Sequence, residues 1–182
     1  MGLKRVCVFA GSSLGTDPVY KEEVRKLGEA LGKKGIELVY GGAKSGLMGV
    51  MADEVLANGG RVTGVMPTRL FTKEIAHPDV TEMIEVDTMH ERKAKMSELA
   101  DGYIALPGGF GTWEELFEVI SWAQIGIHTK PLALFNINGY YTPLMNLVEH
   151  AIEAGFVPED NRRFLMQEKD PVQLLEELEL KM

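Results

Sequence analysis

A few residues stand where a soluble chain seldom leaves them without a use. Read as a helix at 100° per residue, Met89 to Ala100 carries Met89, Met96, Leu99 and Ala100 on one face. Arg92 and Lys93 fall on the two flanks of that face, while Glu91, Lys95 and Glu98 point the other way. A cation on an inward face needs a partner. Glu115 shares a helical stripe with Val119 and Trp122, so a carboxylate also faces apolar surroundings. There it can orient a water molecule or stabilise a nearby cation. Glycine-rich turns add a further chemistry: Gly11-Ser12-Ser13-Leu14-Gly15, Gly41-Gly42-Ala43-Lys44-Ser45-Gly46 and Pro107-Gly108-Gly109-Phe110-Gly111-Thr112. Glycine permits positive φ and close backbone approach, and a helix opening after such a turn offers free N–H groups to an anion.

Each feature also has a plainer reading. One glycine turn serves shape alone, Lys93 can snorkel its head into solvent, and Thr112-Trp113-Glu114-Glu115 matches a capping box with Thr112 as N-cap. Three such turns at one end of one sheet favour a phosphate or nucleotide site. A Walker loop is excluded, because neither Gly41 nor Gly42 leads to Gly-Lys-Ser/Thr at the required spacing. A dinucleotide fingerprint is excluded too, since Gly109-Phe110-Gly111-Thr112-Trp113 is followed by Glu114 where a third glycine belongs.

The elements that must position these groups follow from the hydropathy pattern. Val6–Ala10, Ile36–Tyr40, Arg61–Met66, Tyr103–Leu106 and Pro131–Phe135 read as buried strands. Pro18–Lys34, Leu47–Asn58, Met89–Ala100, Thr112–Ile125 and Thr142–Ala154 read as helices, and Asp170-Pro171 opens a last one. Strict alternation predicts an α/β fold: a Rossmann-like, doubly wound, mostly parallel sheet with helices on both faces. Residues 1–182 form one domain in this reading, with Pro67–Pro78 a loop beside the sheet. Ligands of such folds bind beyond the carboxyl ends of the strands, where these turns lie.

Composition narrows the classes further. A formal charge of −8 speaks against a nucleic-acid binder. Cys7 is the one cysteine, so no intrachain disulfide forms and a reducing compartment is expected. The short run Val6 to Ala10 behind Arg5 is no signal-peptide core, and no stretch approaches the ~20 apolar residues of a membrane span. A cytoplasmic protein without membrane contact is the expectation. His77, His90, His128 and His150 lack ligand spacing, so no metal is expected, and each reads as a surface or hydrogen-bonded residue. Thr112–Ile125 is apolar almost all round, which makes it either a central helix or a contact with a second subunit.

Taken together, Tyr40-Gly41-Gly42 leading to Gly46-Leu47-Met48-Gly49, then Met89-His90-Glu91-Arg92-Lys93, then Pro107-Gly108-Gly109-Phe110-Gly111-Thr112-Trp113-Glu114-Glu115, resemble the "lonely guy" phosphoribohydrolases. The likeness extends through Trp122-Ala123-Gln124 and Asn138-Gly139-Tyr140-Tyr141. These enzymes are often mislabelled lysine decarboxylases. The resemblance implies a homodimer, free of cofactor, that hydrolyses AMP or N6-prenylated AMP to free base and ribose 5-phosphate. It makes Arg92 and Glu115 the catalytic pair, and Lys93 and Glu74 ligand contacts. Gly108, Gly109, Phe110, Gly111 and Thr112 would surround the phosphate, with Gly41 and Gly42 also lining the site. Ser121 stands where the family often has threonine, and Gly41-Gly42-Ala43 where many members have three glycines. The competing expectation is a carrier that binds a phosphorylated cofactor, such as molybdenum cofactor, and leaves it intact; such a carrier would not need Arg92 and Glu115 together.

Overall fold

The computed structural model describes residues 2–72 and 76–182. Seven strands form one sheet in the order β4-β3-β2-β1-β5-β6-β7. They are β1 (Arg5–Phe9), β2 (Glu37–Tyr40), β3 (Val62–Pro67), β4 (Glu82–Val86), β5 (Gly102–Ala105), β6 (Leu132–Phe135) and β7 (Met166–Glu168). Every neighbouring pair is parallel, so all carboxyl ends share one edge. The helices are α1 (Pro18–Lys34), α2 (Gly46–Ala57), α3 (Met89–Leu99), α4 (Phe110–Gln124), α5 (Thr142–Glu153) and α6 (Pro171–Leu180).

Side-chain alternation in the strands splits the interior in two. Val6 and Val8 of β1 join the core under α1, α2 and α6, while Cys7 and Phe9 join the core under α3, α4 and α5. Cys7 is fully buried, and that burial pushes its thiol well above the ordinary range, which leaves it unreactive. The order in which strands are added reverses between β1, which leads to β2 on one side, and β5, which leads to β6 on the other. The crevice between them is the natural ligand position of such a sheet.

The expected strands and helices all form, with no end displaced by more than two residues. One displacement matters. Helix α4 starts at Phe110 with Gly109 as N-cap, so Thr112 lies inside the first turn and the capping box does not form. At α6 the expected cap does form, since Asp170 accepts from the Val172 and Gln173 amides. The sequence reading missed β4 and β7, the two edges of the sheet. Glu82-Met83-Ile84-Glu85-Val86 has no fully buried residue, and β7 is three residues long. Neither has the buried apolar run that marks a central strand. In the stretch after β3, Thr68–Thr72 forms a 3-10 turn and Ala76 bridges antiparallel to Ala43.

Candidate active site

Beyond the carboxyl ends of β1 and β2, α3 and the start of α4 enclose a cavity of about 260 Å³. Its wall includes Gly11 and Ser12 of the first turn, Gly41 of the second and Gly109, Phe110, Gly111 and Thr112 of the third. Arg92 and Glu115 both face it, with Met48, Met89 and Met96 as apolar lining.

The third turn delivers a helix N-terminus with unused donors. The first intrahelical bond of α4 runs from the Trp113 amide to the Gly109 carbonyl, and no side chain caps the turn. The amides of Phe110, Gly111 and Thr112 therefore precede the ladder and have no acceptor among the described residues. Gly108 is required for this shape, because a Cβ there would stand 2.1 Å from Thr112 Oγ1. Backbone donors at the positive end of a helix suit a phosphate.

Arg92 is buried, at 7% exposure, and reaches across the sheet edge rather than to a carboxylate. Its Nε donates to the Val65 carbonyl at 3.0 Å and its Nη2 to the Gly41 carbonyl at 2.7 Å. The Met89 sulfur lies 3.9 Å from Nη1. Among the described residues Arg92 makes no ion pair, and of its five N–H groups one on each terminal nitrogen remains for a ligand. Gly41 must be glycine, since a Cβ there would meet Nη2 at 1.9 Å. The second turn thus seats the guanidinium.

Glu115 makes no hydrogen bond or ion pair among the described residues. Burial raises its carboxyl from 4.5 to about 7, Arg92 and Lys93 pull against that rise, and Glu114 and Glu118 add to it. A carboxyl half-ionised at neutral pH can take or give a proton. Lys93 is not a snorkelling side chain: it is 10% exposed and its Nζ is bound to Glu114 at 2.5 Å and Glu118 at 2.9 Å. Burial works against its ammonium, but these two hydrogen bonds and charges outweigh it and hold the pKa above the ordinary lysine value.

The structure thus gathers Arg92, Glu115, Gly41, Gly109, Phe110, Gly111 and Thr112 around one cavity, with Gly108 braced directly behind them. Lys93 sits on the α3–α4 seam, tied to two carboxylates. Gly42 is buried with a φ of 82° and gives its carbonyl to the His77 amide, off the cavity wall. Ser121 lies farther along α4, exposed, with its hydroxyl on the Phe117 carbonyl. Glu74 lies outside the described residues. Of the histidines, His77 accepts the Asp79 amide on Nδ1, so its Nε2 carries the proton that it donates to Asp53 at 3.0 Å. The sequence reading gave no role to Met48, Met89 and Met96 individually, nor to Tyr140 and Tyr141, whose hydroxyls donate to the Gly108 and Leu106 carbonyls. Nothing in their spacing distinguishes them from core residues.

Residues 48–178 match the family described as possible lysine decarboxylase. A probable cytokinin riboside 5′-monophosphate phosphoribohydrolase of Oryza sativa subsp. japonica is 46% identical over 97% of this chain and 72% of its own length. A cytokinin riboside 5′-monophosphate phosphoribohydrolase of Arabidopsis thaliana is 45% identical over 97% of this chain and 83% of its own. Among solved structures, the molybdenum cofactor carrier protein of Chlamydomonas reinhardtii superimposes with a TM-score of 0.74 at 17% identity, covering 98% of this chain and 97% of that one. The molybdenum cofactor binding protein of Rippkaea orientalis gives a TM-score of 0.72 at 21% identity, covering 98% and 96%. At these identities the likeness shows the fold alone.

Proposed function

The chain belongs to the family described as possible lysine decarboxylase, in the company of cytokinin riboside 5′-monophosphate phosphoribohydrolases, and from that premise we propose that its cavity hydrolyses the N-glycosidic bond of a nucleoside 5′-monophosphate. The products are free base and ribose 5-phosphate. The observation that carries the reading is the shared cavity: open α4 amides, a guanidinium with no ion pair among the described residues and a carboxyl at about 7 face one space.

The roles follow from the chemistry of the bond. The Phe110, Gly111 and Thr112 amides hold the phosphate and fix the ribose against Glu115. As the C1′–N bond breaks, positive charge develops on the ribose, as in sugar hydrolysis generally. Ionised Glu115 stabilises that cation and takes a proton from the water whose oxygen bonds to C1′. The electron pair of the broken bond leaves on the base nitrogen, which is reprotonated on release. Arg92 keeps its proton (pKa above ~12), so it acts by orientation and charge from its seat on Gly41 and Val65. The decarboxylase description fits less well, because an imine-forming lysine must give up its proton and Lys93 is held charged by two carboxylates.

A second copy of the chain belongs to this proposal. Phe110, Trp113 and Phe117 form one exposed stripe on α4, at 85%, 39% and 42%, and an apolar stripe of that kind calls for cover. Light scattering should give a homodimer, and Phe117→Glu should give a monomer. The activity itself is tested by incubating the protein with AMP and with N6-isopentenyl-AMP and following free base by chromatography. Base and ribose 5-phosphate from either nucleotide establish the hydrolase, and the ratio of kcat/KM names the preferred substrate. Bound but intact nucleotide would establish a carrier instead.

A further inference from the structure

From Leu106 to Gly109 four successive carbonyls each accept a hydrogen bond. Leu106 accepts from the Tyr141 hydroxyl at 2.6 Å and Pro107 from the Gly11 amide at 3.3 Å. Gly108 accepts from the Tyr140 hydroxyl and Gly109 from the Trp113 amide at 3.0 Å. In a trans peptide the carbonyl and the following N–H point in opposite directions, so tying a carbonyl aims the next amide. The bond at Gly108 therefore aims the Gly109 N–H, and the bond at Gly109 aims the Phe110 N–H.

These ties differ in what they restrain. Leu106 is also held by its own amide on the Phe9 carbonyl, and Gly109 by the helix it opens. The Gly108–Gly109 peptide lies between two glycines, the residue type with the widest backbone freedom, and a Cβ on Gly109 would meet nothing within 4 Å. Its carbonyl is held by a side chain alone. Tyr140 is in turn placed by its neighbours: Tyr20 meets its ring edge-on at 6.2 Å and Tyr141 at 5.1 Å. Asn136, buried, fixes the loop by accepting the Tyr141 amide at 2.7 Å and donating to Gln167 at 2.8 Å.

We propose that Tyr140 is a positioning residue for phosphate recognition: its hydroxyl locks the Gly108–Gly109 peptide so that the Gly109 N–H joins the open amides of α4. The inference rests on the phosphate reading above. Without the lock the peptide can turn over and present the Gly108 oxygen to the anion, which repels it.

The test compares wild type, Tyr140→Phe and Tyr141→Phe by calorimetric titration with ribose 5-phosphate and with adenine, alongside kcat and KM for AMP. Tyr140→Phe should bind ribose 5-phosphate about ten-fold or more weakly and raise KM for AMP by a similar factor. Its kcat and its affinity for adenine should hold. Tyr141→Phe should lower the melting temperature and leave ribose 5-phosphate affinity unchanged, since the nitrogen after the Leu106 carbonyl is that of Pro107, which has no N–H to aim. Unchanged ribose 5-phosphate affinity in Tyr140→Phe overturns the lock, and so does an equal loss for adenine. Wild-type protein that binds neither ribose 5-phosphate nor inorganic phosphate overturns the phosphate reading itself and the lock with it. Should Tyr140→Phe fail to fold, Tyr20→Leu loosens the same ring, with a smaller phosphate-specific loss expected and no loss counting against the proposal.

Discussion

Helices α2 and α4 begin at the same edge of the sheet, each after a glycine-rich turn, and end with opposite hydrogen-bond inventories. At α2 the Leu47 amide donates to the Ser13 carbonyl, Met48 to Gly11 and Gly49 to Ser45. The first turn has folded over this helix end and taken the Leu47 and Met48 amides, while the Gly49 bond is the helix's own first ladder bond. At α4 the amides of Phe110, Gly111 and Thr112 meet no protein acceptor among the described residues. Glycine content does not distinguish the two ends. What does is whether a neighbouring loop has already satisfied the helix, because an amide that donates within the protein has nothing left for a ligand. The α2 turn serves the site differently, by offering the Gly41 carbonyl to Arg92.

If chemistry belongs to the α4 end, Glu115→Gln should lower kcat by about 10²–10⁴ with KM for AMP nearly unchanged. Full turnover in a folded Glu115→Gln protein would detach catalysis from α4. Arg92→Lys should follow, with kcat/KM down roughly 10²-fold, since an ammonium cannot span the Gly41 and Val65 carbonyls and still face a ligand as the planar guanidinium does. Steady-state kinetics on both variants gives the order of the two effects.

The comparison itself is put at risk by paired backbone substitutions. Phe110→Pro deletes one open amide at the first helical position, where proline is well tolerated. KM for AMP should rise about ten-fold with the melting temperature within a few degrees of wild type. Gly46→Ala, at a φ of 60° and with its Cβ 2.2 Å from the Ser12 backbone, should instead cost stability, about 2 kcal/mol or more, by denaturant unfolding. A stable Gly46→Ala protein with weakened phosphate binding would reverse the assignment of the two helix ends.

The smallest effect is a pH dependence. Glu115 titrates near 7 in the folded protein against 4.5 as the reference carboxyl. The folded state therefore holds this proton more tightly than the unfolded chain. The stability that goes with it is complete below about 4.5 and is lost as pH rises through about 7. Glu115→Gln should accordingly melt a few degrees above wild type at pH 8, with the gap closing by pH 4. The kcat of wild type should fall as pH drops below about 7, as Glu115 is protonated.

Much of this was legible in the chain. The 3.6-residue period of Met89 to Leu99 placed Arg92 inward, and it is buried. Glycine and proline punctuated five central strands within one or two residues of their observed ends. The edge strands β4 and β7 were not legible, because a strand with one partner needs no continuous apolar run. Nor was the true start of α4, since Thr112-Trp113-Glu114-Glu115 satisfies a capping-box pattern just as well inside a helix as at its end.

Local pattern and composition determined the alternating α/β order, the inward side of α3, the glycine turns and the motif that marks the family, because each depends on residues within a turn or two of one another. Tertiary structure decided which turn keeps its amides, where Arg92 finds its carbonyls and how far burial lifts Glu115. Arg92 reaches partners 27 and 51 residues away, and the donors of α2 are spent on a loop more than a full helix earlier. Hydrogen-bond saturation and desolvation are sums over whatever packs nearby, and only the assembled sheet says which residues those are.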